Sequence, residues 1–93
     1  MSELPGFDAF SACVGERFRL IEDGGEIVAE LVEAKLLGKV PHRPFTLLFR
    51  VPDGPLLPQR TYPVEHENLG HFELFLVPVG SDDVGMRYEA IFT

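Results

Sequence analysis

The chain has 93 residues, 15 acidic and 8 basic, for a net charge of −7, with 45% hydrophobic residues, eight Phe and no Trp. A domain this small buries only about 60–65% of its unfolded surface, so its core must be well packed or shared with a partner. The hydrophobic content argues against intrinsic disorder, and the acidic balance argues against nucleic acid and anionic membranes, which are met with Lys and Arg; its plain reading is solubility.

Residues 1–6 are expected to form a loose terminus, without the basic and apolar regions of a secretory signal. Residues 7–14 fit one or two helical turns, with Asp8 as N-cap and Gly15 as the C′ glycine. Phe7, Phe10 and Val14 then share one face, suited to capping an open end or face of a sheet. Cys13 is the single cysteine, so no internal disulfide exists, and this usage fits the reducing cytoplasm expected as its compartment. Among Phe10, Ser11, Ala12 and Val14 it reads as a core thiol rather than a nucleophile.

Residues 16–21 read as a short strand, Phe18 and Leu20 inward, Arg17 and Arg19 outward. Asp23-Gly24-Gly25 make a tight reversal. Residues 26–37 are ambiguous: Ile27, Val28, Leu31, Val32, Ala34 and Leu36 fit an amphipathic helix about as well as a strand, and the Ala, Glu, Leu and Lys there favour helix. The glycine-rich turn decides for strand, because an antiparallel partner is then the simplest topology. The change of face near Val32 to Ala34 requires a β-bulge.

Pro41 and Pro44 place residues 38–44 in a loop. Residues 45–51 alternate cleanly, with Phe45, Leu47, Phe49 and Val51 on one face and Thr46 and Arg50 on the other. A proline-rich connection over 52–59 leads to a short strand at 61–66, where Pro63 points to an edge or a bulge. The turn at 67–70 opens a strand over 71–79. After a turn at 80–85, Met86, Tyr88, Ala90 and Phe92 line the apolar face of the last strand. One domain over 1–93 follows, mainly β: a compact antiparallel barrel or sandwich of about six strands with a short N-terminal helix. Its expected core includes Phe18, Leu20, Leu31, Phe45, Leu47, Phe49, Leu74, Leu76, Tyr88 and Phe92.

The strand at 71–79 is apolar on both faces, Phe72, Leu74 and Leu76 on one and Phe75, Val77 and Val79 on the other. Such strands are ordinarily covered twice. The first expectation is that the N-terminal segment or a curled sheet covers Phe75, Val77 and Val79. The second is that these residues, with Ile91, form an interface to a protein partner or to a second copy of the chain.

Chemistry-bearing patterns are weak. His66 and His71 flank the 67–70 turn and would face each other across the hairpin base, with Glu65 or Glu67 as further ligands. His42 is too far away in sequence to complete a structural site, so the histidines are expected at the surface, with no metal and no other cofactor. Paired-carboxylate chemistry needs two acids at a defined separation in a cleft, whereas Glu73 and Glu89 occupy outward strand positions and Asp23, Asp53, Asp82 and Asp83 lie in turns, a solvated face. Residues 82–83 lack the alternating oxygen ligands of a calcium loop, and 80–85 lack the Gly-Lys-Ser/Thr ending of a phosphate loop. Ser2, Ser11 and Ser81 have no nucleophile-elbow context. The longest apolar runs fall short of the ~18 residues of a membrane span.

The string Pro44-Phe45-Thr46-Leu47-Leu48-Phe49-Arg50, then Leu57-Pro58-Gln59, Tyr62, His66, Leu69-Gly70, Phe75-Leu76-Val77-Pro78-Val79-Gly80 and Tyr88-Glu89-Ala90-Ile91-Phe92, resembles a family of small bacterial proteins known only as a domain of unknown function. Gly15-Glu16-Arg17-Phe18 matches the family's opening Gly-x-x-Phe, and the longer N-terminus departs from it. The resemblance covers nearly the whole chain and implies no activity and no catalytic residues. Such proteins can be encoded near phage tail-collar-like proteins, and through that the resemblance implies a structural or accessory role in a bacterial assembly. The expectation is a non-catalytic β-domain acting through protein contacts. The alternative is a small-molecule-binding or catalytic barrel, which a concave pocket with converging polar groups would favour.

Overall fold

The computed structural model describes residues 4–22, 24–38, 44–52 and 56–92. A short helix, α1 (Phe7–Ser11), precedes six strands: β1 (Arg17–Glu22), β2 (Gly25–Leu36), β3 (Phe45–Pro52), β4 (Arg60–His66), β5 (Gly70–Ser81) and β6 (Gly85–Phe92). All pairings are antiparallel, and the sheet closes on itself in the order β1-β2-β3-β6-β5-β4. Of the two architectures open to the sequence, the molecule is a barrel. β4, β5 and β6 follow one another as a meander, and β3 lies beside β6 after the long connection, which is a Greek key. No helix among the described residues is long and apolar enough to cross a membrane.

Alternation places the core. Phe45, Leu47, Phe49 and Val51 of β3 are buried and the intervening residues are not, and the same two-residue period runs along β1, β4 and β5. Phe18, Leu20, Leu31, Leu74, Leu76 and Tyr88 join them inside. Phe92 is only partly buried, yet its ring stacks on Phe45 at 4.3 Å.

β2 is a strand, as the turn argument requires and helix propensity does not. Pairing on both sides overrides propensity: β1 holds it from Gly25 to Glu30 and β3 from Glu30 to Leu36. The expected bulge lies between Leu31 and Glu33. It sits where Leu31 also engages the N-terminal turn, accepting from Gly15 N–H at 2.8 Å and donating to Glu16 O at 3.0 Å.

The same two bonds shorten the helix. Asp8 is not its N-cap; Gly6 is, in extended conformation and without a side-chain cap, while Asp8 lies in the first turn, where a carboxylate suits the helix dipole. The chain leaves the helix after Ser11 because Gly15 and Glu16 must reach Leu31. Val14 is therefore exposed, and Gly15, at φ +92°, ends the following turn rather than the helix. That backbone region is accessible to glycine at little cost.

Each mouth of the barrel is stoppered. At one, Phe10 is fully buried, its ring 5.6–6.3 Å from those of Phe18, Phe45, Phe72 and Phe92. At the other, the β3–β4 connection inserts Leu57, whose N–H donates to Tyr88 Oη at 2.8 Å, and Tyr62 Oη donates to Pro58 O at 2.6 Å. The N-terminal helix thus fills a mouth and does not cover the outer face of β5. Phe75 and Val79 remain 50% and 42% exposed, contrary to the first expectation for that face. The reason is burial: the mouth offers Phe10 four aromatic neighbours, which a convex outer wall cannot.

The seam between β1 and β4 is the shortest ladder, with only the pairs Arg19↔Glu65 and Leu20↔Val64. Pro63 stands next in line and has no N–H to continue it, so this strand behaves as an edge on that side, as the proline suggested. Two ion pairs span the seam, Arg19 to Glu65 and Arg60 to Glu22, both at 3.5 Å.

Replacing Phe10 with Ala should cost about 3–5 kcal/mol, the usual range for truncating a buried aromatic. Urea unfolding followed by far-UV circular dichroism should show a correspondingly lower midpoint. A change below about 1 kcal/mol would mean that the mouth closes without this ring.

Candidate functional site

Three places bring chemistry or exposed apolar surface together. The first lies beneath α1. The alternation Tyr62, Val64, His66 in β4 turns His66 inward, and its side chain is 3% exposed. The ring lies 4.4 Å from that of Phe18. Nδ1 accepts N–H bonds from Asn68 at 3.1 Å and Leu69 at 3.2 Å, and Nε2 lies 2.7 Å from Glu16 Oε1. An Nδ1 that accepts leaves the ring proton on Nε2, which donates to Glu16. Cys13 completes the group: its sulfur, a Glu16 oxygen and a His66 nitrogen lie within 4.8 Å of one another.

This trio suits neither nucleophilic nor metal chemistry. A catalytic thiol needs a histidine nitrogen free to take its proton, and both nitrogens of His66 are committed. Burial first, then the charge and hydrogen bond of Glu16, push the Cys13 thiol up, away from the thiolate. Metal ligation through Nε2 would drive the ring proton to Nδ1, into two converging N–H groups, at the loss of both bonds. The arrangement is a clasp: His66 ties the N-terminal turn to the β4–β5 turn across the aromatic core.

His66 and His71 do not face each other. The pairs His66↔Gly70 and Glu65↔His71 put the two histidines on opposite faces of the hairpin. His71 is exposed, its Nδ1 3.2 Å from Glu65 Oε2. The expected surface position holds for His71 and fails for His66, whose parity with Tyr62 and Val64 was the overlooked signal. Glu67 is an exposed turn residue, and His42 falls outside the described residues.

Zinc or chelator should therefore leave the melting temperature unchanged, and cobalt(II) should give no thiolate charge-transfer band. His66→Phe should instead cost about 1–3 kcal/mol by stranding the Asn68 and Leu69 N–H groups. A cobalt–thiolate band would reverse the tautomer argument.

The second place is Asp82, which is no solvated turn acid. Its Oδ2 accepts from Arg50 Nε at 2.9 Å and lies 2.7 Å from Arg50 Nη2, and its Oδ1 accepts from Val84 and Gly85 N–H at 2.9 and 3.0 Å. The side chain thereby builds the β5–β6 turn and anchors it to β3. Glu30 adds a second carboxylate to Arg50 at 3.6 Å. Arg87 stands opposite Arg50 in the β3–β6 ladder, but two carboxylates already neutralise Arg50, so the two guanidinia make no anion cradle. The Arg50 hydrogen bonds, then the Gly85 and Val84 amides, hold the Asp82 carboxyl well below the usual carboxylate range. A group depressed in the folded state stabilises above its unfolded pKa, about 4, and that contribution is lost as pH falls toward the folded value. Asp82→Asn should thus lower the melting temperature at neutral pH, with the gap to wild type narrowing below about pH 4. A gap constant with pH would show that the carboxylate's charge is not what holds the turn.

The third place is the outer wall. Phe75, Val79 and Ile91 are 50%, 42% and 58% exposed, and Val77 is partly buried. The structure brings all four expected interface residues onto one face, Phe75, Val77 and Val79 along β5 and Ile91 on neighbouring β6. Beside Phe75 runs an open groove of about 730 Å³, lined by Leu4, Thr61, Pro63, His71, Glu73 and Phe75 among others. Among the described residues, the barrel interior is closely packed. Phe18, Leu20, Leu31, Leu47, Phe49, Tyr62, Leu76 and Tyr88 are all at 0% exposure and fill it.

These features define a small Greek-key β-barrel with a packed interior and an apolar face on its outer wall. The chain belongs to the family described as a domain of unknown function, DUF6916, whose profile matches residues 5–92, which bears out the expected membership of a family of unknown function. No curated protein and no solved structure matches it.

Proposed function

We propose that this protein is a non-catalytic β-domain working through protein contacts at the outer face of β5 and β6, as a structural or accessory component of a larger assembly of the phage-tail-like bacterial kind. The observation that carries the contact reading is the exposure of Phe75, Val79 and Ile91 on adjacent strands. Single exposed apolar residues are ordinary, whereas apolar residues gathered on one face mark association surfaces. Burying three such side chains contributes roughly 5 kcal/mol at about 25 cal/mol per Å², before the entropy of association is subtracted.

The groove beside Phe75 supports a second reading, a small-molecule site. Its polar members are Thr61, Glu65, His71 and Glu73; Glu65 is already engaged by Arg19 and His71, and the groove is open rather than enclosing. A ligand site ordinarily buries most of its occupant. The contact reading is the stronger.

Phe75→Glu separates surface from core. At an outward, half-exposed position it should change stability by no more than about 0.5 kcal/mol, while a pull-down from the native cell loses the partner that the wild type retains. A variant that unfolds, with wild type monomeric by light scattering, would make this face simply core and end the contact reading.

A further inference from the structure

The carboxylates of the barrel wall divide into two groups. The strands carry seven: Glu22, Glu26, Glu30, Glu33, Glu65, Glu73 and Glu89. Four are paired with arginines: Glu22 with Arg60, Glu26 and Glu65 with Arg19, and Glu30 with Arg50. Glu33, Glu73 and Glu89 have no ion-pair partner among the described residues. Glu73 and Glu89 lie in and beside the apolar face, and Glu33 lies in line with it on β2, beyond β3. Glu73 precedes Phe75 by two residues on the same side of β5. Glu33, Leu48, Glu89 and Val77 form one continuous row across β2, β3, β6 and β5, through the pairs Glu33↔Leu48, Leu48↔Glu89 and Val77↔Glu89. Lys35 and Arg87, each two residues from one of these acids, form no ion pair with them. Around Phe75, Val77 and Ile91 negative charge is thus left open, whereas around exposed Val28 it is neutralised; Arg87, opposite Gly80, is the cation at the Val79 end of the face.

A second copy of the chain fits this surface poorly. Two such faces would set Glu73 and Glu89 against their own kind, on chains of net charge −7, and like charges across an interface are costly. Nor is the surface a site for an added strand. Phe75 and Leu76 are paired to β4, and Val77 and Pro78 to β6, so this stretch offers side chains rather than an open backbone edge. A partner without an edge to pair with must bring its own satisfied backbone, which a helix does. The spacings agree: outward residues of a strand lie about 6.8 Å apart and helix residues i and i+4 about 6 Å apart.

Resting on the contact-surface reading, we infer that the outer face of β5 and β6 docks a cationic amphipathic helix of another protein. Its apolar stripe lies on Phe75, Val77, Val79 and Ile91, and its Lys or Arg residues lie against Glu33, Glu73 and Glu89.

Fluorescence anisotropy with a labelled amphipathic Leu/Lys helical peptide tests this. Wild type should bind it saturably and less tightly as salt rises. The Phe75→Ser/Ile91→Ser double variant should weaken binding at least tenfold. Glu73→Gln/Glu89→Gln should weaken it comparably and flatten the salt dependence. Val28→Ser is the control: Val28 is 48% exposed on β2, between Glu26 and Glu30, which Arg19 and Arg50 neutralise, and binding should be unchanged. Melting curves confirm that each variant is folded. No saturable binding, or binding indifferent to the glutamate variants, overturns the inference. If light scattering shows a wild-type dimer that Phe75→Ser disperses, the helix is wrong while the contact surface stands. If neither peptide, partner nor second copy responds to Phe75, both readings fail.

Discussion

Phe10 in the mouth of the barrel is the contact on which the rest of the molecule depends. A five-residue helix has no stability of its own, so α1 exists because Phe10 enters a socket built by Phe18, Phe45, Phe72 and Phe92. Those four rings come from β1, β3, β5 and β6, strands far apart in sequence, and one side chain touches them all. Once Phe10 is seated, the chain must turn to reach β2, and Gly15 and Glu16 are delivered to Leu31 at the bulge. That turn in turn presents Glu16 to His66. The clasp beneath the helix is therefore a consequence of filling the mouth.

Much of this was legible in the sequence, because alternation is a local signal. The strands around Phe45 and Tyr88 announced themselves, and the face change at Val32 to Ala34 demanded a bulge where one is found. Pro63 marked the end of a ladder. The failures share a cause: they depend on partners distant in the chain. Nothing near Asp8 or Val14 shows that Leu31 will pull the chain out of a helix after Ser11. Nothing near Asp82 shows that Arg50, 32 residues away, will hold it. His66 is the instructive case. Its inward parity could be read from Tyr62 and Val64, but an expectation of surface histidines beside a turn outweighed it.

The outer face illustrates the opposite situation, in which the sequence named the right residues and the structure changed their meaning. Phe75, Val77 and Val79 looked like a strand covered twice. The barrel covers them once, because the segment available to cover them is better buried elsewhere. The arrangement of charge around them was invisible beforehand, since which carboxylates are neutralised depends on cross-strand neighbours. Only the register brings Glu33, Glu89 and Val77 into one row.

The two-rung ladder between β1 and β4 has a consequence for how this ring fails. Every other junction of the barrel has at least four paired positions, so transient opening should begin at this seam, and amide exchange there should be the fastest within the sheet. An opened ring becomes a curled sheet with two raw borders, the hazard from which aggregation starts. Here the borders carry their own deterrent. Arg17, Arg19 and Glu22 line one, and Arg60, Pro63 and Glu65 the other. The charges that staple the closed ring would, in the open one, keep strands of neighbouring molecules from zipping on.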